Sequence, residues 1–173
     1  MLEAFLIQLV GFVAWIFLAL SYWRKKVDDV LFLQVISCVL FVIHYYFLGG
    51  MSGLYIVLFE TVRDFVYYKS DDDLKLFYYS IPIYIIIAVL NFTGIMSVLP
   101  SLASLIDGFS LANKKVIVVV GGIASYTVWL IYDIYVGSIS GVLTDFILII
   151  SNIFVLITSY KERKKRKRKK VSV

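Results

Sequence analysis

The chain has 173 residues, of which 61% are hydrophobic and only 17% are charged, with a mean hydropathy of +0.91. Soluble domains carry about 45–50% apolar and about 25% charged residues, so this composition excludes an ordinary soluble globular protein and indicates a membrane protein. The net charge is +5, a value that hides an asymmetry, because nine of the 17 basic residues lie at 161–170. The single cysteine, Cys38, excludes an internal disulfide.

Seven apolar stretches are long enough to cross a bilayer, which takes about 20 residues of helix. The chain is therefore predicted to be all-α and polytopic, and the short connections make neighbouring helices antiparallel. Pro82 and Pro100 lie inside the fourth and fifth stretches and predict kinks there. The first stretch has no basic residues ahead of it, which predicts a retained helix rather than a cleaved signal peptide. The predicted helices cover residues 5–23, 30–48, 52–69, 75–91, 96–112, 116–136 and 140–159.

The basic residues predict the orientation of these helices. Lys and Arg collect on the cytoplasmic side of a membrane. With seven helices and the N-terminus outside, all 17 Lys and Arg residues fall on the cytoplasmic side. A six-helix arrangement would put one or other set of them outside. The charges therefore favour seven helices, with the N-terminus outside and the C-terminus in the cytoplasm.

Two Gly-rich turns predict an internal duplication. The sequence YYFLGGMSG begins at Tyr45 and DIYVGSISG begins 88 positions later, at Asp133. At this offset, Gly49, Ser52 and Gly53 fall on Gly137, Ser140 and Gly141. We predict a first three-helix repeat at 1–70, a linker helix at 71–92, a second three-helix repeat at 93–160 and a basic cytoplasmic tail at 161–173. In transporters with parallel repeats, the substrate site lies at the repeat interface near the bilayer midplane.

Several motifs resemble a known family. They are an early Gln-x-x-Gly at Gln8, a basic first loop, HYYFLGG, LPSLASLIDGFSL and SYTVWLIYDIYVGSISGVLTD. Outside the basic tail, nearly all of the chain resembles the YgjV-type proteins of the bacterial inner membrane, a resemblance that implies this location but no established chemistry. More distantly, the 3+1+3 plan is similar to the SWEET sugar carriers, other PQ-loop proteins and the PnuC-type nicotinamide riboside carriers. SWEET-like repeats carry a proline in their first helices, and here only Pro100 stands at a comparable place.

Polar and aromatic residues at helical spacing predict a central binding site. Polar side chains within spans are costly, so they face the bundle interior or a cavity. We predict a substrate site formed by Trp15, Ser37, Glu60, Ser104, Ser125 and Trp129. Each has a structural alternative, because small residues and hydroxyls also let helices pack closely, and the two tryptophans can simply fill the bundle.

Three acidic residues are predicted to couple protons: Glu60, Asp107 and Asp145. Arg63 follows Glu60 at i+3, so an internal ion pair is the competing explanation for that carboxylate. Asp107 and Asp145 have no basic neighbour at helical spacing, and each is expected to be protonated or paired across helices. Asp133, near the outer end, is interpreted as solvated.

The remaining features predict no metal, cofactor or enzymatic chemistry. His44 is the only histidine and has no companions for a metal site, so we expect it to form a hydrogen bond near the outer surface. No HExxH, P-loop, GxSxG, CxxC or GxGxxG motif occurs. An enzyme that uses only carboxylates is left open, as is homo-oligomerisation.

The tail KERKKRKRKK has the composition of a solvated, disordered segment. Beside a membrane, such a run is attracted to anionic lipid by about 1 kcal/mol per basic residue. Its charge would also suit a nucleic acid, but lipid binding needs no further assumption, so anionic lipid is the predicted partner.

These observations predict a transporter that moves a small polar metabolite by alternating access between two three-helix repeats. The alternative is a non-transporting membrane scaffold or receptor whose polar interior is structural. The transporter requires a water-reachable central cavity that meets Trp15, Glu60 and Trp129, whereas the alternative requires a dry, close-packed axis.

Overall fold

The computed structural model describes residues 2–21, 23–24, 26–68, 73–113 and 116–171, and the side chains at 27, 28, 64, 67, 68, 73, 116 and 161–171 lie outside this description. The described residues form seven α-helices. They are α1 (Leu2–Ser21), α2 (Val27–Leu48), α3 (Met51–Tyr68), α4 (Asp73–Leu90), α5 (Ile95–Asn113), α6 (Val116–Val136) and α7 (Ile139–Val171). The prediction of seven helices is confirmed.

The C-terminal end of α7 differs from the prediction. The helix continues through Val171, so the prediction of a disordered tail from residue 161 is wrong for the backbone up to that residue. Lys, Arg and Glu are good helix formers, and neither Gly nor Pro interrupts the run. Because adding residues to an existing helix is far easier than starting one, the apolar part of α7 extends into the basic segment.

Five of the helices in the described part of the chain are long and apolar enough to cross a membrane. These spans are Leu2–Ser21, Asp29–Leu48, Ile95–Asn113, Ile117–Val136 and Ile139–Tyr160. In α4 the apolar part, Leu74–Leu90, is shorter. The ionisable residues Glu60, Arg63 and Asp64 lower the mean hydropathy of α3, which was also predicted to span.

Contacts between α1 and α2 show that these helices run antiparallel. The Ser37 hydroxyl donates a hydrogen bond to the carbonyl oxygen of Ala14 over 2.8 Å, while His44 lies 2.8 Å from the carbonyl oxygen of Ile7. Residue numbers therefore rise along one helix as they fall along the other. Ser125 makes the same kind of bond between α6 and α5.

Six helices form a ring in the order α1, α2, α3, α5, α6 and α7, and α7 packs back against α1. Helix α4 lies outside this ring, against α3 and α5. Aromatic contacts hold it there: Phe59 meets Tyr84 edge to face at 5.0 Å, and Phe77 meets Phe109 at 5.7 Å. The ring surrounds the cavity described below.

The two Gly-rich turns have the same backbone geometry. Gly49 and Gly137 follow α2 and α6 with φ angles of 74° and 78°, a conformation that favours glycine because it has no Cβ. One residue later, the Gly50 N–H donates to Tyr45 O over 2.8 Å and the Ser138 N–H donates to Asp133 O over 2.9 Å. Both turns therefore close their helix with the six-to-one bond of a Schellman motif.

Both turns lie at one end of the bundle, which we term the hairpin end. The connection from α4 to α5 lies there too, since Asn91 and Thr93 line the same surface cavity as Gly49 and Tyr135. At the opposite end, which we term the basic end, α1, α3 and α5 finish. Arg24, Lys26 and Lys75 lie there.

Candidate functional site

A central cavity of about 150 Å³ lies within the ring of helices. Five helices contribute to it, from both halves of the chain. The lining residues are Leu18 of α1, Phe41 and Tyr45 of α2, Val57 and Glu60 of α3, Tyr126, Trp129 and Asp133 of α6, and Gly141, Thr144, Asp145 and Leu148 of α7. No Lys or Arg is among them, while three carboxylates are.

The three carboxylates have different surroundings. Asp133 is 1% exposed and accepts a hydrogen bond from the Tyr45 hydroxyl over 2.8 Å. Glu60 accepts one from the Ser104 hydroxyl over 2.5 Å. Asp145 is 7% exposed, and its Oδ2 has no hydrogen-bond partner among the described residues. An unpaired buried carboxylate oxygen is costly, so Asp145 is the group in this cavity that most needs a partner.

Aromatic rings cover much of the cavity surface. Tyr45 stacks on Phe41 with ring centroids 6.4 Å apart and on Trp129 at 6.2 Å, and Trp129 meets Tyr132 edge to face at 5.9 Å. Tyr126 lines the cavity one helical turn away from Trp129. The site therefore combines acidic groups with aromatic faces.

At the hairpin end, hydrogen bonds between α6 and α3 close the bundle above the cavity. The Tyr132 hydroxyl of α6 accepts bonds from Ser52 Oγ at 3.1 Å and from the Gly53 N–H at 3.0 Å, both at the start of α3. Together with the bond between Tyr45 and Asp133, these contacts join the first half of the chain to the second.

His44 of α2 adds a second set of contacts at the same end. Its Nδ1 lies 2.8 Å from the carbonyl oxygen of Ile7, and a carbonyl oxygen only accepts, so Nδ1 carries a proton. Its Nε2 lies 2.9 Å from Ser138 Oγ and 3.3 Å from Ser140 Oγ, at the start of α7. The expected hydrogen bond of His44 near this end is confirmed. We term the contacts of His44, Tyr45 and Tyr132 across the two halves the hairpin seal.

Gly141 allows α7 to approach Asp133. A Cβ atom at position 141 would overlap the Asp133 carboxylate, so only glycine leaves room for this carboxylate against the first turns of α7. The interpretation of Asp133 as solvated is wrong, because close packing of α6 and α7 removes it from water.

Arg63 organises a second polar cluster, on the side of the bundle next to α4. Its side chain is 3% exposed, and its Nη1 donates to the Tyr84 hydroxyl over 2.6 Å. Its Nη2 lies 3.4 Å from Asp107 Oδ2, and its Nη1 lies 3.9 Å from Glu60 Oε1. We term Glu60, Arg63, Tyr84, Ser104 and Asp107 the Arg63 cluster. The expectation that Asp107 is paired across helices is confirmed.

The structure brings some of the predicted site residues together and separates others. Glu60, Trp129 and Asp145 line the central cavity, and Ser104 is bonded to Glu60. Trp15 is partly buried and is not among the lining residues.

The two other predicted serines bond neighbouring helices. Ser37 and Ser125 are buried, and their hydroxyls donate to the carbonyl oxygens of Ala14 and Ala103 over 2.8 and 2.9 Å. Both hydroxyls therefore join neighbouring helices, which is the structural alternative to a role in substrate binding.

Sequence reasoning missed two lining residues that complete the site, Tyr45 and Asp133. They are 88 positions apart and in contact, so each falls on the other at the offset of the two Gly-rich turns. Equivalent residues that contact each other lie near the axis relating the two turns. The offset of 88 positions is visible in the sequence, but this contact is not.

A larger cavity of about 460 Å³ lies between α4 and α5. Its lining is almost entirely apolar and includes Ile85, Val89, Phe92 and Leu102. Such a surface suits lipid chains rather than a polar solute, so the central cavity is the better candidate site.

The fold and this polar interior define a multi-pass α-helical membrane protein. The family model described as Imp-YgjV, bacterial inner membrane protein, matches residues 5–163. The chain therefore belongs to the Imp-YgjV family and is a multi-pass protein of the bacterial inner membrane. Neither the curated proteins nor the solved structures include a match to it, so the distant resemblance to SWEET, PQ-loop and PnuC-type carriers stays a prediction.

Proposed function

We propose that the protein is a carrier that moves a small polar solute across the inner membrane by alternating access. The two moving units are α1–α3 and α5–α7, and α4 links them. One observation supports this proposal above the others: a cavity with an unpaired buried carboxylate lies between the two halves and is closed at the hairpin end by hydrogen bonds that cross between them.

The packing of the helices supports two parallel repeats. Each contact in the first half has a counterpart in the second: α1 with α2 and α5 with α6, α2 with α3 and α6 with α7, and α3 with α5 and α7 with α1. This set of contacts is what a twofold axis through the ring would produce. Parallel repeats of this kind place their substrate at the repeat interface.

The contacts of the hairpin seal also correspond. Tyr132 of the second half reaches Ser52 of the first, and His44 of the first half reaches Ser140 of the second. Tyr132 is the counterpart of His44 and Ser140 is the counterpart of Ser52, each at an offset of 88 positions. Rotation of one half against the other would break both sets of contacts together and open the cavity at this end. Glu60, Asp107 and Asp145 are proposed to carry protons in this cycle.

Weakening the hairpin seal tests the carrier proposal. In a Cys38→Ala background, Thr144→Cys places a thiol in the cavity, and Tyr132→Phe removes the oxygen that accepts from Ser52 and Gly53. Each lost bond is worth about 1 kcal/mol. We therefore expect Tyr132→Phe to speed labelling of the thiol in Thr144→Cys by an impermeant maleimide, added from outside to intact cells, by about tenfold or more.

The control is Tyr135→Phe, the same change at an exposed position one turn away, which should leave the labelling rate unchanged. A rate that Tyr132→Phe does not alter would contradict the carrier proposal. It would support the alternative of a scaffold or receptor with a close-packed axis.

The proposed orientation has the hairpin end outside and the basic end in the cytoplasm. Labelling positions at the hairpin end must be exposed, which excludes the buried turn residues Gly50 and Ser138. In the Cys38→Ala background, impermeant maleimide should label Met51→Cys, Thr93→Cys and Ile139→Cys on intact cells, and Lys26→Cys only after the cells are opened. Labelling of Lys26→Cys from outside would overturn this orientation.

A further inference from the structure

Acidic side chains outnumber basic ones in the lining of the central cavity. Asp133 and Asp145 line it, and within the described residues neither forms a salt bridge. Glu60 is different, because Arg63 lies behind it and is shared with Asp107. Two carboxylates thus face the cavity without a basic side chain, and Asp145 Oδ2 also lacks a hydrogen-bond donor.

The aromatic lining favours the same kind of ligand as the carboxylates. The face of an aromatic ring, tryptophan above all, attracts a cation that lies within about 6 Å of the ring centre. Trp129 and Tyr126 come from the same helix as Asp133, while Phe41 and Tyr45 face them from α2. In such a site, contacts with the aromatic faces and with the carboxylate replace the water around an organic cation.

The size of the cavity limits the ligand. Its volume of about 150 Å³ corresponds to about five water molecules at about 30 Å³ each. In the described part of the chain, no three or more His, Cys, Asp or Glu side chains are grouped as metal ligands. The volume and the aromatic lining therefore suit a compact organic cation.

We propose that the solute is a small organic cation, an amine or a methylated ammonium compound, held between Asp145 and the face of Trp129. Asp133 also lines the cavity, next to Gly141 one turn before Asp145 on α7, and accepts a hydrogen bond from Tyr45. This proposal rests on the proposed carrier function. It adds the chemical class of the cargo and names Asp145 as the residue that selects it.

Charge-selective thiol modification tests the proposal on the purified full-length protein in detergent. Leu148→Cys, in the Cys38→Ala background, places a thiol beside Asp145 in the cavity. Three methanethiosulfonates are compared: one with a trimethylammonium group, one with a sulfonate and the uncharged methyl reagent. After correction for their rates with a free thiol in solution, we expect the cationic reagent to react at least about tenfold faster than the anionic one.

The assignment to Asp145 predicts that Asp145→Asn reduces this preference to within about threefold. Asp29→Asn is the matched control, because Asp29 is an exposed carboxylate at the start of α2, and it should retain the full preference. If Leu148→Cys does not fold, Val57→Cys provides a thiol on another helix that lines the same cavity.

The outcomes separate this proposal from the carrier function. If the uncharged reagent reacts but the cation has no advantage, the solute is not a cation, and the carrier proposal stands. A preference that survives Asp145→Asn overturns the role of Asp145. If no reagent reaches position 148 while all three modify Lys26→Cys, which is exposed and outside the spans, the cavity is closed to solutes and both proposals are wrong.

Discussion

Replacement of Gly121 by alanine is expected to destabilise the protein by about 1–3 kcal/mol, the range for overpacking a well-packed interior. Gly121 lies on α6 where it meets α5, and a Cβ atom there would overlap the side chain of Ser110. Ser110 is buried, and its hydroxyl donates to its own helix at Ile106 O over 2.6 Å. Rotation of the Ser110 hydroxyl would not remove the overlap, because the Ser110 Cβ is itself too close to the new atom. The measurement is the apparent melting temperature of the purified protein in detergent.

A second substitution should relieve this overlap. Because the new Cβ would lie 2.5 Å from the Ser110 Cβ, Ser110→Gly should restore most of the stability of Gly121→Ala, whereas Ser110→Ala should not. The matched control is Gly122→Ala, one residue along the same helix. There the nearest atom, Asn152 Nδ2, is 3.3 Å away, and we expect a much smaller effect. Alanine favours a helix over glycine by about 1 kcal/mol at both positions, so equal stabilities of the 121 and 122 variants would show that the contact with Ser110 carries no cost.

The helices and the two turns could be predicted because they depend on local properties. An apolar run of fixed length predicts a span, and the repeated Gly-Gly and Gly-Ser turns predict where α2 and α6 end. The chain confirms both at Gly49 and Gly137, whose φ angles are positive. The C-terminal end of α7 was not predicted, because polarity was taken to end the helix near residue 160. The helix instead continues to Val171, since extending an existing helix is easier than starting one.

The partners of buried polar groups could be predicted only where they lie on the same helix. The pair of Glu60 and Arg63 follows from i+3 spacing, and the structure has it at 3.9 Å. Asp107 reaches the same arginine because α3 and α5 lie side by side, with Glu60 opposite Ser104 and Arg63 opposite Asp107. Helical spacing predicts which residues share a face, but not how two helices are shifted along each other.

Asp133 is buried because Gly141, on the neighbouring helix α7, has no Cβ atom. A polar residue three positions from the end of α6 is ordinarily expected to reach water. Here Gly141 allows α7 to cover it, and Tyr45 supplies a hydrogen bond from the other half of the chain. Trp15 was predicted to line the site because it lies near the middle of α1, but it does not line the cavity. Its position along the helix does not determine which way its side chain faces.

Loss of the Arg63 side chain is expected to be more costly than any change on the surface of the bundle. Arg63→Met removes the cation that contacts Glu60 and Asp107 and the donor that bonds the Tyr84 hydroxyl. Removing one partner of a buried ion pair costs about 3–5 kcal/mol. Glu60 and Asp107 are 20% and 23% exposed, so water compensates in part, and we expect about 3 kcal/mol. The loss should appear as a large drop in apparent melting temperature.

Second substitutions identify the source of this cost. If unpaired charge dominates, Arg63→Met combined with Glu60→Gln should recover part of the stability. A further Asp107→Asn should recover more, because neither of the two carboxylates described beside Arg63 is then charged. Glu60→Gln alone should cost little, since its amide oxygen still accepts from Ser104 and Arg63 keeps Asp107. Arg63→Lys is not an equivalent control, because an ammonium group lacks the planar fork that serves three partners at once.

The same series separates the structural role of Glu60 from a role in proton coupling. If the Arg63 cluster accounts for Glu60 entirely, Glu60→Gln should leave the labelling rate of Thr144→Cys and its dependence on pH as they are in the parent. If Glu60 carries a proton during the cycle, Glu60→Gln should fold normally and leave only the pH dependence that ionisation of the thiol itself produces, because glutamine keeps the shape but cannot titrate. An unchanged pH profile in a stable Glu60→Gln protein would therefore end the proposed coupling role and leave Glu60 as a partner of Arg63 and Ser104.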